Sequence, residues 1–166
     1  MEEKIISKDD LLKLCGDVIA KGHTLLAPGI AEYEQVKDVS QIRLDSSALP
    51  TKASYKSYVF PKAEPILYYK RSKSDVQLID VDVNGKKIVV LGAKPCDTNS
   101  INILKHLFNW DYEDEFFNLR QKHFVIIGLM CSSFDEYCFC TSVGSSPVSE
   151  EGSDLFLIPI NEDNLL

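Results

Sequence analysis

Apolar positions recur at two different periods along this chain. Between residues 7 and 22, Leu11, Leu12, Leu14, Cys15, Val18 and Ile19 fall at helical intervals, with Asp9 or Asp10 placed to cap the amino terminus. Cys15 stands on the apolar face of that helix, in the position of a small buried hydrophobe. Residues 23–65 alternate short apolar runs, such as 24–28 and 41–44, with Pro28, Gly29, Pro50, Pro61 and Pro65, and this predicts short strands and ordered loops. From residue 66 the pattern sharpens. Residues 66–70 and 76–81 predict strands, Asn84-Gly85 signals a two-residue hairpin turn, and residues 86–91 predict a strand paired back on its predecessor. Within it, residues 88–91 are apolar without alternation, as in a strand buried on both faces. Ile101, Ile103, Leu104, Leu107 and Phe108 then form the buried stripe of a helix that Asp97 or Thr98 can cap. A second helical stretch, 112–122, leads into the apolar run 124–130, which stops at Cys131. A polar loop follows, then residues 144–152 rich in Ser, Gly and Glu, a closing strand at 155–160 and a short tail.

These elements predict an α/β fold with a mixed sheet, a strand-helix-strand unit and a less regular amino-terminal lobe. One domain is expected over residues 1–166, with the lobe at about 1–65 and a strand-rich part at about 66–160. Charge narrows the function. The formal net charge is −7, spread over clusters such as Asp114 and Glu115 or Glu150 and Glu151, and no basic stripe suits the neutralisation of phosphates, so no nucleic-acid partner is expected. No apolar run approaches the roughly 20 residues of a membrane span, and Met1, Glu2, Glu3 and Lys4 do not open a leader peptide. The expected location is the cytoplasm, where cysteines serve as metal ligands, catalytic thiols or core residues rather than in structural disulfides.

The other four cysteines fall under that expectation. Parallel strands joined by a crossover point the same way, so their carboxyl ends share one edge of the sheet, where α/β folds keep their crevices. If residues 88–91 and 124–130 are such a pair, Cys96 follows one end and Cys131 stands at the other. Cys138 and Cys140 lie in the loop after Cys131, and a locally extended backbone would turn both to one side with Phe139 on the other. Four thiolates at one point suit a [4Fe-4S] cluster or, alternatively, a structural zinc ion; the Cys-x-x-Cys knuckles usual for zinc are absent. An anionic cluster calls for positive dipoles, and Lys94, the helix start at Asp97, Thr141, Ser142 and Gly144 are the candidate contributors. A cysteine-nucleophile enzyme is the rival reading, since Cys96 stands at a helix amino terminus. It lacks a base: His106 lies about 15 Å further along the helix, His123 belongs to the opposite sheet edge, and only His23 is unplaced. Asp135 and Glu136 read as solvated loop carboxylates, and a metal-free interaction domain is the third reading.

The segments KSYVFPKAE at 56–64, GAKPCD at 92–97, GLMC at 128–131 and YCFCTSVG at 137–144, followed by Glu150-Glu151-Gly152 and the strand at 154–160, resemble the iron-sulfur β subunits of cytoplasmic nickel-iron sulfhydrogenases and the corresponding iron-sulfur subunits of anaerobic sulfite reductases. The resemblance runs from about residue 25 to residue 160. It implies an electron-transfer subunit, not itself catalytic, that works between a flavin-containing partner, which handles the nicotinamide nucleotide, and a catalytic redox subunit. Matched residue by residue, the family's Pro-Cys-Asp falls on Pro95, Cys96 and Asp97, its strand-terminal cysteine on Cys131, and its Cys-Phe-Cys on Cys138, Phe139 and Cys140; Cys15 matches nothing. Family members continue into a ferredoxin-like region with two further cysteine sets that has no counterpart here, as expected of an excised domain or a stand-alone relative that uses such a region as a partner.

Overall fold

The computed structural model describes residues 3–73, 75–80 and 86–166. A short strand, β1 (Ile6–Ser7), enters helix α1 (Lys8–Ala20). Ser7, rather than Asp9 or Asp10, is the cap: its Oγ accepts the Asp10 N–H at 3.1 Å, and the two aspartates fill the first turn, where the helix dipole favours negative charge. Next come β2 (Thr24–Pro28), β3 (Tyr33–Val36), a 3-10 turn at Val39–Gln41, the single-turn α2 (Lys56–Val59), and β4 (Leu67–Arg71) with β5 (Val76–Asp80). The second half holds β6 (Ile88–Ala93), α3 (Pro95–Phe108), α4 (Glu115–Lys122), β7 (Phe124–Leu129), a 3-10 turn at Cys140–Val143, β8 (Leu155–Leu157) and β9 (Asn164–Leu165).

Five strands form the central mixed sheet in the order β3-β2-β6-β7-β8, with β3 antiparallel to β2 and the other pairings parallel. Thr24, Ile88 and Phe124 stand in one row, so β2, β6 and β7 start together and their carboxyl ends share the opposite edge. The run without alternation in β6 is explained by this central place. Val89 and Leu91 face a cluster with Leu11, Cys15, Leu25, Ile127 and Leu129 under α1. Val90 faces a second cluster with Leu26, Tyr55, Ile101, Phe117 and Ile126 under α3 and α4. Burying each such side chain contributes about 1.5–3 kcal/mol, and a strand apolar on both sides collects that only with a layer on each face.

Three expectations are corrected. The strand at 86–91 does not pair back on 76–80: β6 lies between β2 and β7, and β4 and β5 form a separate two-stranded ribbon. The ribbon's residues are exposed, so pairing there would have left the most apolar strand of the chain wet. The Asn84-Gly85 turn lies outside the described residues. Neither Asp97 nor Thr98 caps α3, which starts earlier, with Lys94 as its cap residue and Pro95 at its first position, where a proline's fixed φ and missing N–H cost nothing. Of the stripe on α3, only Ile101 is buried, with Leu104 and Phe108 partly so; Ile103 and Leu107 point outward.

Beyond β8 the chain turns back on itself, with Ile158 and Leu166 exchanging both backbone hydrogen bonds, and β9 pairs antiparallel with β1 through Ile6 opposite Leu165. Leu165 is buried in the α1-side cluster, which ties the tail to the core.

Candidate functional site

The carboxyl edge of the parallel strands carries the cysteines. A bulge between Leu91 and Ala93 shifts the register before the last β6 pair, Ala93 with Gly128, and the chain passes within three residues into α3, which places Cys96 in the first helical turn. Cys131 stands two residues past the end of β7, held by its N–H donating to Pro147 O at 2.9 Å. Cys138 comes after a turn in the next loop, and Cys140 opens the 3-10 turn. All four line one cavity of about 540 Å³, whose wall also includes Pro95, Ile103, Phe134, Tyr137, Phe139 and Val143. The parallel-strand argument from the sequence therefore brings these four residues to one crevice. Among the described residues no three His, Cys, Asp or Glu side chains are gathered tightly enough to hold one metal ion: the thiols are spread around the cavity wall.

Positive potential is built in beneath this wall. Lys94 is only 4% exposed, and its ammonium donates to Asp45 O at 3.1 Å and Ser46 O at 2.9 Å. Burial pulls its pKa down, while the neighbouring Cys131, Asp45 and Cys96 pull it back up, so the charge sits where it meets a thiolate at either cysteine. Cys96 is exposed as a residue, but the partial desolvation of its sulfur and then Asp97 raise the thiol, opposed by the N–H groups of Asp97 and of Cys96 itself at the helix start. Asp97 is buried, and burial raises its carboxyl, with Ser54 and Lys56 acting against it; Lys56 Nζ lies 3.8 Å from Oδ1. The Cys138 sulfur accepts the Asp135 N–H at 3.4 Å, and the Cys131 thiol donates to Ser133 O at 3.0 Å.

The loop is not extended between Cys138 and Cys140. Phe139 adopts φ −138°, ψ 19° before the 3-10 turn, and it lines the same cavity instead of facing away. Thr141, Ser142 and Gly144 are exposed and are not part of the wall. The Ser142 and Gly144 N–H groups serve the turn itself, donating to Phe139 O and Thr141 O. Of the polar residues singled out from the sequence, Asp97 does line the cavity, and so does one that the sequence pattern does not single out, Ser145, whose Oγ is buried with no partner among the described residues. Only its place just after the Cys-x-Cys turn could have pointed to it.

A clamp fixes the two halves of the wall to each other. Thr98 Oγ1 donates to Glu151 O at 2.8 Å, and Gly152, at φ 79°, lies so close to α3 that a Cβ there would stand 2.3 Å from Thr98 O. His23 and His123 belong to the opposite edge of the sheet: Lys87 N–H donates to His23 Nδ1, and Ile88 N–H to His123 O. With His106 in the second half of α3, no histidine stands beside a cavity thiol. Cys15 is buried under the sheet, 2% exposed, as its helical position implied.

Fold and site together define an α/β protein with a thiol-lined crevice at the carboxyl ends of its parallel strands. Over 127 residues, 75% of its length, the chain is 32% identical to the sulfhydrogenase 2 subunit beta of Pyrococcus furiosus. Through this segment the chain is similar to the β subunit of a sulfhydrogenase, and it spans 35% of that relative's own length. No protein-family model and no solved structure matches the chain. Among the described residues no helix is long and apolar enough to cross a membrane.

Proposed function

We propose that this chain is an electron-transfer unit that holds one [4Fe-4S] cluster on Cys96, Cys131, Cys138 and Cys140. The observation that carries this reading is the meeting of these four thiols on the wall of one cavity. The donor set fits the group: four soft ligands, a buried ammonium at Lys94 to offset negative charge, amides at the start of α3, and the partnerless Ser145 hydroxyl as a donor toward the cavity. The Cys-x-x-Cys knuckles usual for a zinc site are absent, which favours a cluster over a single zinc ion. When bound, the cluster takes up and passes on single electrons. The chain's own residues hold it and orient it, with Phe134, Tyr137 and Phe139 at the cavity wall.

The relative is a subunit by name, which supports a role among other redox subunits, oxidoreductase and hydrogenase-like in character. Those partners are a flavoprotein that handles the nicotinamide nucleotide, a ferredoxin-like domain and a catalytic subunit, working in an anaerobic cytoplasm. Anaerobic reconstitution followed by iron, sulfide and zinc analysis tests the proposal. About four irons and four sulfides per chain are expected, and a protein that retains one zinc and refuses iron would overturn it.

A further inference from the structure

Helix α3 carries more apolar surface than the core uses. Its inner face supplies Ile101, Leu104 and Phe108 to the core, yet Ile103 and Leu107 are 64% and 61% exposed, and Trp110, two residues past the helix, is 84% exposed. At about 100° per residue, Cys96, Ile103 and Leu107 fall within roughly 40° of one another, so the outer face runs in one line away from the thiol cavity. Ile103 belongs to both, and Phe134, Tyr137 and Phe139 continue the apolar surface around the cavity.

We propose that this face pairs with the same face of a second copy of the chain, the two α3 helices antiparallel about a two-fold axis near Ile103. Two observations select a second copy. The first is area: the six side chains just named outside the core, Ile103, Leu107, Trp110, Phe134, Tyr137 and Phe139, are each between 61% and 86% exposed. Together they present on the order of 1,000 Å², which matches the roughly 800 Å² that each partner gives to a stable interface. The second is charge. Lys56 lines the cavity at the Cys96 end of the face, while Asp111 and Glu113 are exposed just beyond the other end of α3. An antiparallel two-fold sets these acids against the other copy's Lys56 and the amide end of its α3, and repeats the contact by symmetry. The inference is independent of any metal, because it uses only the apolar face and its flanking charges.

Sedimentation equilibrium of the full chain tests it at concentrations up to about 100 μM, where a micromolar dissociation constant is measurable. The expected result is a dimer that Leu107→Glu and Trp110→Lys each weaken by at least about 30-fold, with far-ultraviolet circular dichroism unchanged, and that Leu78→Glu in the exposed β4-β5 ribbon leaves intact. Trp110 lies outside the helix, so its variant decides the matter even if Leu107→Glu fails to fold. A monomeric parent chain, a dimer that survives Trp110→Lys, or one abolished by Leu78→Glu would overturn the proposal.

Discussion

Cysteine side chains in this molecule occupy two environments. Cys15 is packed under α1, where burial alone raises its thiol and no amide or ammonium acts against it. Cys15→Ser should therefore cost about 1–2 kcal/mol in urea unfolding by placing a hydroxyl in the core, with iron content after reconstitution unchanged. Serine at Cys96, Cys131, Cys138 or Cys140 should instead reduce iron content sharply with a small effect on apo-protein stability; full iron in Cys96→Ser would show that another residue ligates. Ser145 gives a finer discrimination. Its buried hydroxyl has no partner among the described residues, so Ser145→Ala should leave the apo protein as stable as before or firmer by up to about 1 kcal/mol. The reconstituted variant should lose iron faster than its parent, and equal loss rates would remove Ser145 from the site. The cysteines were legible in the sequence because their residue type is rare and their chemistry narrow. Ser145 was not, since a serine in a Ser- and Gly-rich stretch carries no signal until its surroundings are known.

Among the elements, β6, β7 and the helices between them follow directly from period and run length, because a strand buried on both faces leaves an unbroken apolar run. What period does not encode is pairing. β5 precedes β6 in the chain, yet β6 pairs with β2, more than fifty residues earlier, because that place covers both of its faces. The wrong half of the α3 stripe has a similar origin: Ile103 and Leu107 satisfy a helical period without having core above them. The β4-β5 ribbon is the element least supported by its surroundings, and two-stranded ribbons are marginal in water. Hydrogen exchange should find its amides among the fastest to exchange and those of β6 and β7 among the slowest; equal protection would mean that the ribbon is packed in solution. The clamp between α3 and the 144–152 loop is testable at Gly152. Gly152→Ala meets both a left-handed backbone and a backbone atom at 2.3 Å and should cost about 2–4 kcal/mol, whereas Gly144→Ala, with φ 78° and open space around it, should cost about 1–2 kcal/mol. Comparable losses at the two positions would mean that the loop yields freely at Thr98.

At the scale of the whole molecule, the carboxyl edge of the sheet holds the chemistry and the opposite edge holds the two histidines nearest the strand starts, so no histidine accompanies the thiols. The isolated chain should accordingly turn over no substrate, and oxidation of a nicotinamide nucleotide by the partner-free chain would defeat the relay proposal. Tyr137 separates docking from shielding when variant and parent are compared at a concentration where both are monomeric: Tyr137→Ala with its cluster retained but slower transfer to a ferredoxin-like polypeptide indicates docking, and loss of both indicates shielding. The pairing of β1 with β9 has a further consequence for how the polypeptide is threaded. Because Ile6 stands opposite Leu165, a linker of a few residues could join the chain's ends, and new ends could be opened between β4 and β5, where the ribbon supports nothing else in the sheet. Such a circular permutant should keep the sheet order and the thiol cavity, since every strand that builds them retains its neighbours.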